Sequence, residues 1–212
     1  MNFVILGDKF QKRMKSKGCI ALLKPNHKTT IIQQQYINIK NIFPKSNIVY
    51  VYGFEAKKFC NFISKNHQLK SNLISIHNSE YEKYNSVYSL YLAQEYLDDE
   101  CCILFGENML NSHLFDKFDK SLGSQIFVNK KNKNKLGCII NDTKIENISY
   151  DLDNYLCEIY YLTKDHSAVL KNLIQDEKYH NYFVFEIFNK LIDHIEIKPF
   201  FTTNRYNYNY VS

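Results

Sequence analysis

Apolar residues along this chain fall into short continuous runs that alternate with stretches of helical spacing. Phe3-Val4-Ile5-Leu6 predicts a short buried strand over 2–6. Over 30–43, Ile31, Ile32, Ile39, Ile42 and Phe43 surround the polar Gln33 to Gln35 at intervals that fit a helix. The run at 47–53 reads as a second strand ended by Gly53, and 54–66 places Phe54, Lys58, Phe59, Phe62 and Ile63 at helical spacing. A third strand is expected at 72–77. A helix over 85–97 follows, with Val87, Leu90, Tyr91 and Ala93 on its inner face and Asn85 as N-cap. A fourth strand covers 100–105.

These elements give β-α-β-α-β-α-β, at about 30 residues per strand–helix unit. The implied fold is a parallel sheet with helices on both faces. Continuous apolar strands agree with it, because a parallel sheet is covered on both sides. A helix is expected over 111–120. Beyond it, strands are expected at 124–129, 136–140, 145–150 and 155–162, with a lysine-rich loop at 129–135 and a tight turn at Asn141-Asp142. Helices over 164–175 and 181–193 and a strand-like 195–201 complete the chain. The expected class is α/β, with a mixed, mainly parallel sheet flanked by helices, in one domain covering 1–212.

Composition changes this picture little. The chain has 212 residues, 45% of them hydrophobic, enough for a substantial core. A net charge of +5, spread among mixed charges, does not point to nucleic acid as a partner. No apolar run approaches the roughly 18 residues of a membrane span, so no membrane partner is expected. The apolar run at 3–6 is too short for a signal-peptide core, and a cytoplasmic location is expected. Six cysteines lack metal-ligand spacing and sit mostly in apolar surroundings, which reads as buried, reduced thiols. The seven histidines are scattered, and no nucleophile-elbow, zinc-protease or Walker-type motif is present.

Two places carry candidate chemistry. The fourth strand ends in Gly106-Glu107, a carboxylate at the strand end where α/β folds hold ligands. After the first strand, Gly7 is followed by Lys9, Lys12, Arg13, Lys15 and Lys17, five cations within nine residues. Such a run is either a phosphate site or a solvated basic loop.

The order of these fragments resembles the sugar-nucleotide and choline-phosphate nucleotidyltransferases. Asn85-Ser86-Val87-Tyr88-Ser89 stands where that family has an Asn-Asn-x-Tyr-Ser-like helix start, and Gly106-Glu107 where it has Gly-Asp. Gly7, Arg13-Met14, Ala21-Leu22-Leu23, Asn26-His27-Lys28 and Ile31-Ile32 align in order with its glycine-rich loop and the turn beyond. The resemblance implies a nucleotide-diphospho-sugar transferase (GT-A-like) fold, with a nucleotide-binding half (1–120) and an acceptor-side half (121–212). The partners it implies are a nucleoside triphosphate or nucleotide sugar and a small phosphorylated acceptor. Of the site residues, it implies Arg13 and Lys17 as catalytic cations. Leu6, Gly7, Lys9, Arg13, Lys15, Asn85 and Ser86 would bind nucleotide. Glu107 would hold Mg²⁺, or else be a strand-end residue without metal. Glu186 would meet the acceptor, or else be an ordinary helix residue.

The chain also departs from the family. The loop's second glycine is missing. Cys19-Ile20 replaces the family's Pro-Lys, with Lys15, Lys17 and Lys24 as nearby alternatives, and Ile20 cannot neutralise phosphate. The late segment from Pro199 to Tyr206 contains no carboxylate, only Asn204. These losses raise the alternative of a catalytically lapsed member serving as a binding or structural subunit, open to protein assembly. A glycosyltransferase is a third reading. Its Asp-x-Asp is absent, and Asp98-Asp99 is the nearest stand-in.

Overall fold

The first strand, β1 (Asn2–Gly7), is buried along its whole length because parallel neighbours flank it on both sides. A computed structural model of the chain describes residues 1–9, 18–25, 28–110, 113–130 and 136–202. One neighbour of β1 is β2 (Asn47–Tyr52), beyond which lies β3 (Leu73–His77); the other is β4 (Cys101–Phe105). The chain therefore runs outward from β1 to β3, then returns to the opposite side of β1. This reversal makes the β1–β4 boundary a topological switch point.

Helices cover both faces, as the apolar strands require. On one face α1 (Ile31–Ile42), α2 (Ala56–Lys65) and α3 (His67–Asn72) bury Ile32, Ile39, Phe59 and Leu69 against Phe3, Ile5 and Tyr50. On the other α4 (Ser86–Leu92), α5 (Lys164–Leu173) and α6 (Val184–Ile192) bury Leu90, Leu170 and Phe188 against Val4, Leu6 and Tyr160. Helix α1 starts at a capping box: the Thr30 hydroxyl accepts from the Gln33 amide at 3.4 Å, and Gln33 Oε1 accepts from the Thr30 amide at 3.0 Å.

The second half extends the same sheet with antiparallel strands. β8 (Tyr155–Leu162) pairs with β4 and β5 (Gln125–Asn129), and β9 (Lys198–Phe201) adds parallel to β5. The order β3-β2-β1-β4-β8-β5-β9 is joined by a hairpin of β6 (Leu136–Asn141) and β7 (Lys144–Tyr150). Opposite β5 the longer side of a β-bulge lies on β8, and within it Glu158 holds a φ of 52°.

Three expectations need correction. Residues 113–117 of the expected helix over 111–120 form turns, closed by bonds such as Phe118 N–H to Phe115 carbonyl at 3.0 Å; Asn111 and Ser112 lie outside the described residues. Leu114, Phe115 and Phe118 dock individually into the aromatic core around Phe127 instead of lining one helix face. A short helix, α3, forms before β3 where none was expected, capped by the Asn66 side chain. Five cysteines are buried, but Cys60 is exposed, and none is in a disulfide.

The two strands at the switch point approach over bare backbone. A Cβ built on Gly7 would stand 2.0 Å from the Tyr50 hydroxyl oxygen, and one on Gly106 2.7 Å from it and 2.8 Å from the Gly7 Cα. Tyr50 cannot yield easily, because it is fully buried and stacked on Phe59 at 5.1 Å. Gly7→Ala is therefore expected to destabilise the fold by about 1–3 kcal/mol, the usual cost of overpacking a core. The check is the urea midpoint of unfolding.

Candidate functional site

At the switch point the sheet opens into a cleft of about 240 Å³. Leu6, Asp8 and Lys9 come from the end of β1, Phe105 and Glu107 from the end of β4, and Ile20 from a 3-10 turn at Ile20–Leu22. Asn85 and Ser86 enter from the start of α4, and Phe183 from the residue before α6.

Both acidic residues follow a glycine at the end of a neighbouring strand, Gly7-Asp8 and Gly106-Glu107. The glycines bring the backbones together, with the Gly106 amide donating to the Leu6 carbonyl at 2.8 Å, and the next residue on each strand carries a carboxylate into the cleft.

Asp8 is the residue that sequence reasoning passed over. It is 1% exposed, and its Oδ2 accepts from Asn78 Nδ2 at 3.0 Å. Burial pushes its carboxyl above the ordinary value of 3.8, opposed by the Ser89 hydroxyl, its own amide, Lys9 and Asn78. Asn78 is itself fully buried and also reaches Ser89 Oγ at 3.3 Å. Lys9 donates to the Tyr84 carbonyl, and burial lowers its ammonium against the pull of Asp8. A polar residue directly after a buried strand's closing glycine was the available signal for Asp8.

Of the nucleotide-side residues expected from sequence, Leu6, Lys9, Asn85 and Ser86 line this cleft together with Glu107, and Gly7 lies behind it. Arg13, Lys15 and Lys17 lie outside the described residues. Asn85 occupies the N-cap of α4 without capping it, since its Nδ2 donates to the Asn181 carbonyl at 2.7 Å. Ser86 Oγ accepts from the Val184 amide at 3.0 Å, tying α4 to α6. Glu186 is not among the residues lining the cleft; its Oε2 accepts from the Phe183 amide at 2.7 Å and closes the first turn of α6. Phe183, 48% exposed, stands at the cleft in its place.

Asp98 and Asp99 precede β4, at the end opposite Glu107; they pair with Lys171 at 2.6 Å and with the N-terminal amine at 3.4 Å. Among the described residues no group of three or more His, Cys, Asp or Glu is placed to hold a metal ion, and no helix is long and apolar enough to cross a membrane.

Solved structures share this architecture almost end to end. A CTP:phosphocholine cytidylyltransferase from Streptococcus pneumoniae matches with a TM-score of 0.78 at 17% identity, over 97% of this chain and 91% of that one. A putative glucose-1-phosphate thymidylyltransferase from Bacillus anthracis matches at 0.77 and 12%, over 96% and 87%. An inositol-1-phosphate CTP transferase from T. maritima matches at 0.70 and 16%, over 94% and 84%. No protein-family model and no curated protein matches the chain. At these identities the likeness is one of fold, and the fold is nucleotidyltransferase-like (GT-A-like).

The raised Asp8 carboxyl links stability to pH. Below 3.8 it is protonated in both folded and unfolded chains. As pH rises, the unfolded chain loses the proton first, so Asp8 subtracts stability until its folded value is passed, and the penalty is constant above that. Asp8→Asn is uncharged throughout. Its melting temperature relative to wild type is expected to rise as pH climbs above the ordinary carboxylate value of 3.8, as followed by circular dichroism; a flat difference would show that the carboxyl carries no burial penalty.

Proposed function

We propose that this chain is a nucleotidyltransferase-type protein. It transfers a nucleotidyl group from a triphosphate of the CTP or UTP class to a sugar phosphate or choline phosphate. The observation that supports the reading is the switch-point cleft, where Glu107, Asp8 and Lys9 line one wall in front of two closely packed glycines, on a fold shared with such enzymes.

In the reaction an acceptor phosphate oxygen forms a bond to the α-phosphorus. The bond from that phosphorus to the α–β bridging oxygen breaks, and pyrophosphate leaves with the electron pair. Little covalent chemistry falls to the protein, so positioning and charge neutralisation supply the rate. Lys9 and the following run, with Lys15 on the nucleotide and Arg13 and Lys17 on the transferring phosphate, provide positive charge. Leu6, Gly7, Asn85 and Ser86 form the wall against which the nucleotide lies.

The hard oxygens of Glu107 and Asp8 suit Mg²⁺, which takes one or two carboxylates and completes its shell with phosphates and water. Bound there, the ion supplies charge withdrawal from the polyphosphate. Asp8 stands in this reading for the second carboxylate absent from the late segment after Pro199.

A second reading rests on Ile20. It lines the cleft with an aliphatic side chain where the resembled family has a phosphate-neutralising lysine. That favours a lapsed enzyme keeping the scaffold as a binding or structural subunit.

Pyrophosphate release from each nucleoside triphosphate, with choline phosphate or sugar phosphates as acceptors, decides between them. Turnover with CTP or UTP is expected, and Glu107→Gln should lower it by about 10²-fold or more. Saturation at 100 times Kd should also stabilise the fold by about 2.7 kcal/mol. Binding without turnover supports the lapsed enzyme, and neither turnover nor stabilisation with any nucleotide removes the catalytic reading.

A further inference from the structure

Glu107 sits on a tight turn closed by the Asn108 amide donating to the Phe105 carbonyl at 3.0 Å. Helix α1, on the opposite face from Leu6 and Phe105, sends one side chain into that turn. Gln35 is fully buried, and its Nε2 donates to the carbonyls of Phe105 at 3.1 Å, Gly106 at 3.3 Å and Asn108 at 2.9 Å. We propose that Gln35 is the positioning residue for Glu107: its amide clamps the turn on both sides of the glutamate and sets where the carboxylate meets the cation and nucleotide. This rests on the reading of Glu107 as a metal ligand.

Three observations carry it. First, all three partners are carbonyl oxygens, so only the nitrogen end of the amide can face them and its orientation is fixed. Second, this orientation leaves Gln35 Oε1 buried with no hydrogen-bond partner among the described residues. A buried unpaired carbonyl is costly, and the side chain keeps it while spending its donors on the turn. Third, two further anchors of the turn among the described residues are local or come from the sheet. Asn108 Oδ1 accepts from the Phe105 amide at 2.5 Å, and Asn108 Nδ2 donates to the Cys157 carbonyl at 3.3 Å. Among the described residues, Gln35 reaches from the opposite helical layer to the carbonyls of Gly106 and Asn108 on either side of Glu107.

Position matters here because Mg²⁺ demands near-ideal geometry and Glu is one methylene longer than the Asp of the resembled family. A longer side chain needs a more firmly fixed root. Met at 35 would conserve volume but offer no donor. Glu would offer one hydrogen when protonated and none when ionised. Asn38, one helical turn along α1, provides an internal control. Its Nδ2 donates to the Leu110 carbonyl at 2.6 Å, beyond the turn that carries Glu107.

The test measures Mn²⁺ affinity in the presence of CTP or UTP, with free Mn²⁺ followed by electron paramagnetic resonance. Wild type, Gln35→Met, Glu107→Gln, the double variant and Asn38→Leu are compared. Gln35→Met is expected to weaken Mn²⁺ binding by about 10–100-fold, the usual effect of removing a group that orients a metal ligand. The double variant should bind no worse than Glu107→Gln alone, because Gln35 acts through Glu107. Asn38→Leu should leave the affinity unchanged. Should Gln35→Met not fold, Gln35→Glu serves, with an affinity between those of wild type and Glu107→Gln. Wild-type affinity in either Gln35 variant, or a further loss in the double variant, overturns the positioning role while leaving the metal reading intact. Failure of wild type to bind Mn²⁺ with either nucleotide overturns both.

Discussion

Two bare Cα atoms over one phenol ring set the geometry at the heart of this molecule. Tyr50 lies beneath Gly7 and Gly106, fixed by its stack on Phe59, and leaves no room for a side chain on either strand end. The ring is held at a cost, since its hydroxyl is buried without a hydrogen-bond partner among the described residues. Burial, with Cys19, Glu107 and Asp8 nearby, keeps that phenol far above the ordinary tyrosine range, so it remains uncharged. In return β1 and β4 end together, and the residue after each glycine turns an acid toward common ground. Glycine, which elsewhere serves by conformational freedom, serves here by having no volume.

The layered fold was legible in the residue pattern because strands buried on both faces write continuous apolar runs, and β1, β2 and β4 do so. The helices were legible from spacing and caps such as Thr30. Where single residues answer to tertiary packing, the pattern failed. Leu114, Phe115 and Phe118 have helical spacing but are claimed separately by the aromatic core. Gln35 has the look of an outward polar residue, yet its burial depends on three carbonyls 70 to 73 residues away, of which local sequence carries no trace.

The site divides in the same way. That Glu107, Lys9, Asn85 and Ser86 line one cleft was legible because strand ends and helix starts meet at the switch point of an α/β sheet. Their particular bonds were not: Asn85 stands at a cap position but serves the segment before α6, and Glu186 serves the backbone of its own helix. Asp8 was hidden by its neighbours, since an acid ahead of five cations reads as part of a mixed-charge loop until the fold shows it turned inward.

The link from Asn108 to the Cys157 carbonyl spans 49 residues and joins the parallel and antiparallel parts of the sheet. During synthesis the first four strands and their crossovers emerge together and can pair among themselves, but the turn bearing Glu107 lacks this tie until β8 arrives and zips onto β4. The early half of the chain can therefore acquire its shape before the turn bearing Glu107 is tied down, and a nascent polypeptide stalled short of β8 would present a sheet with an unfinished mouth.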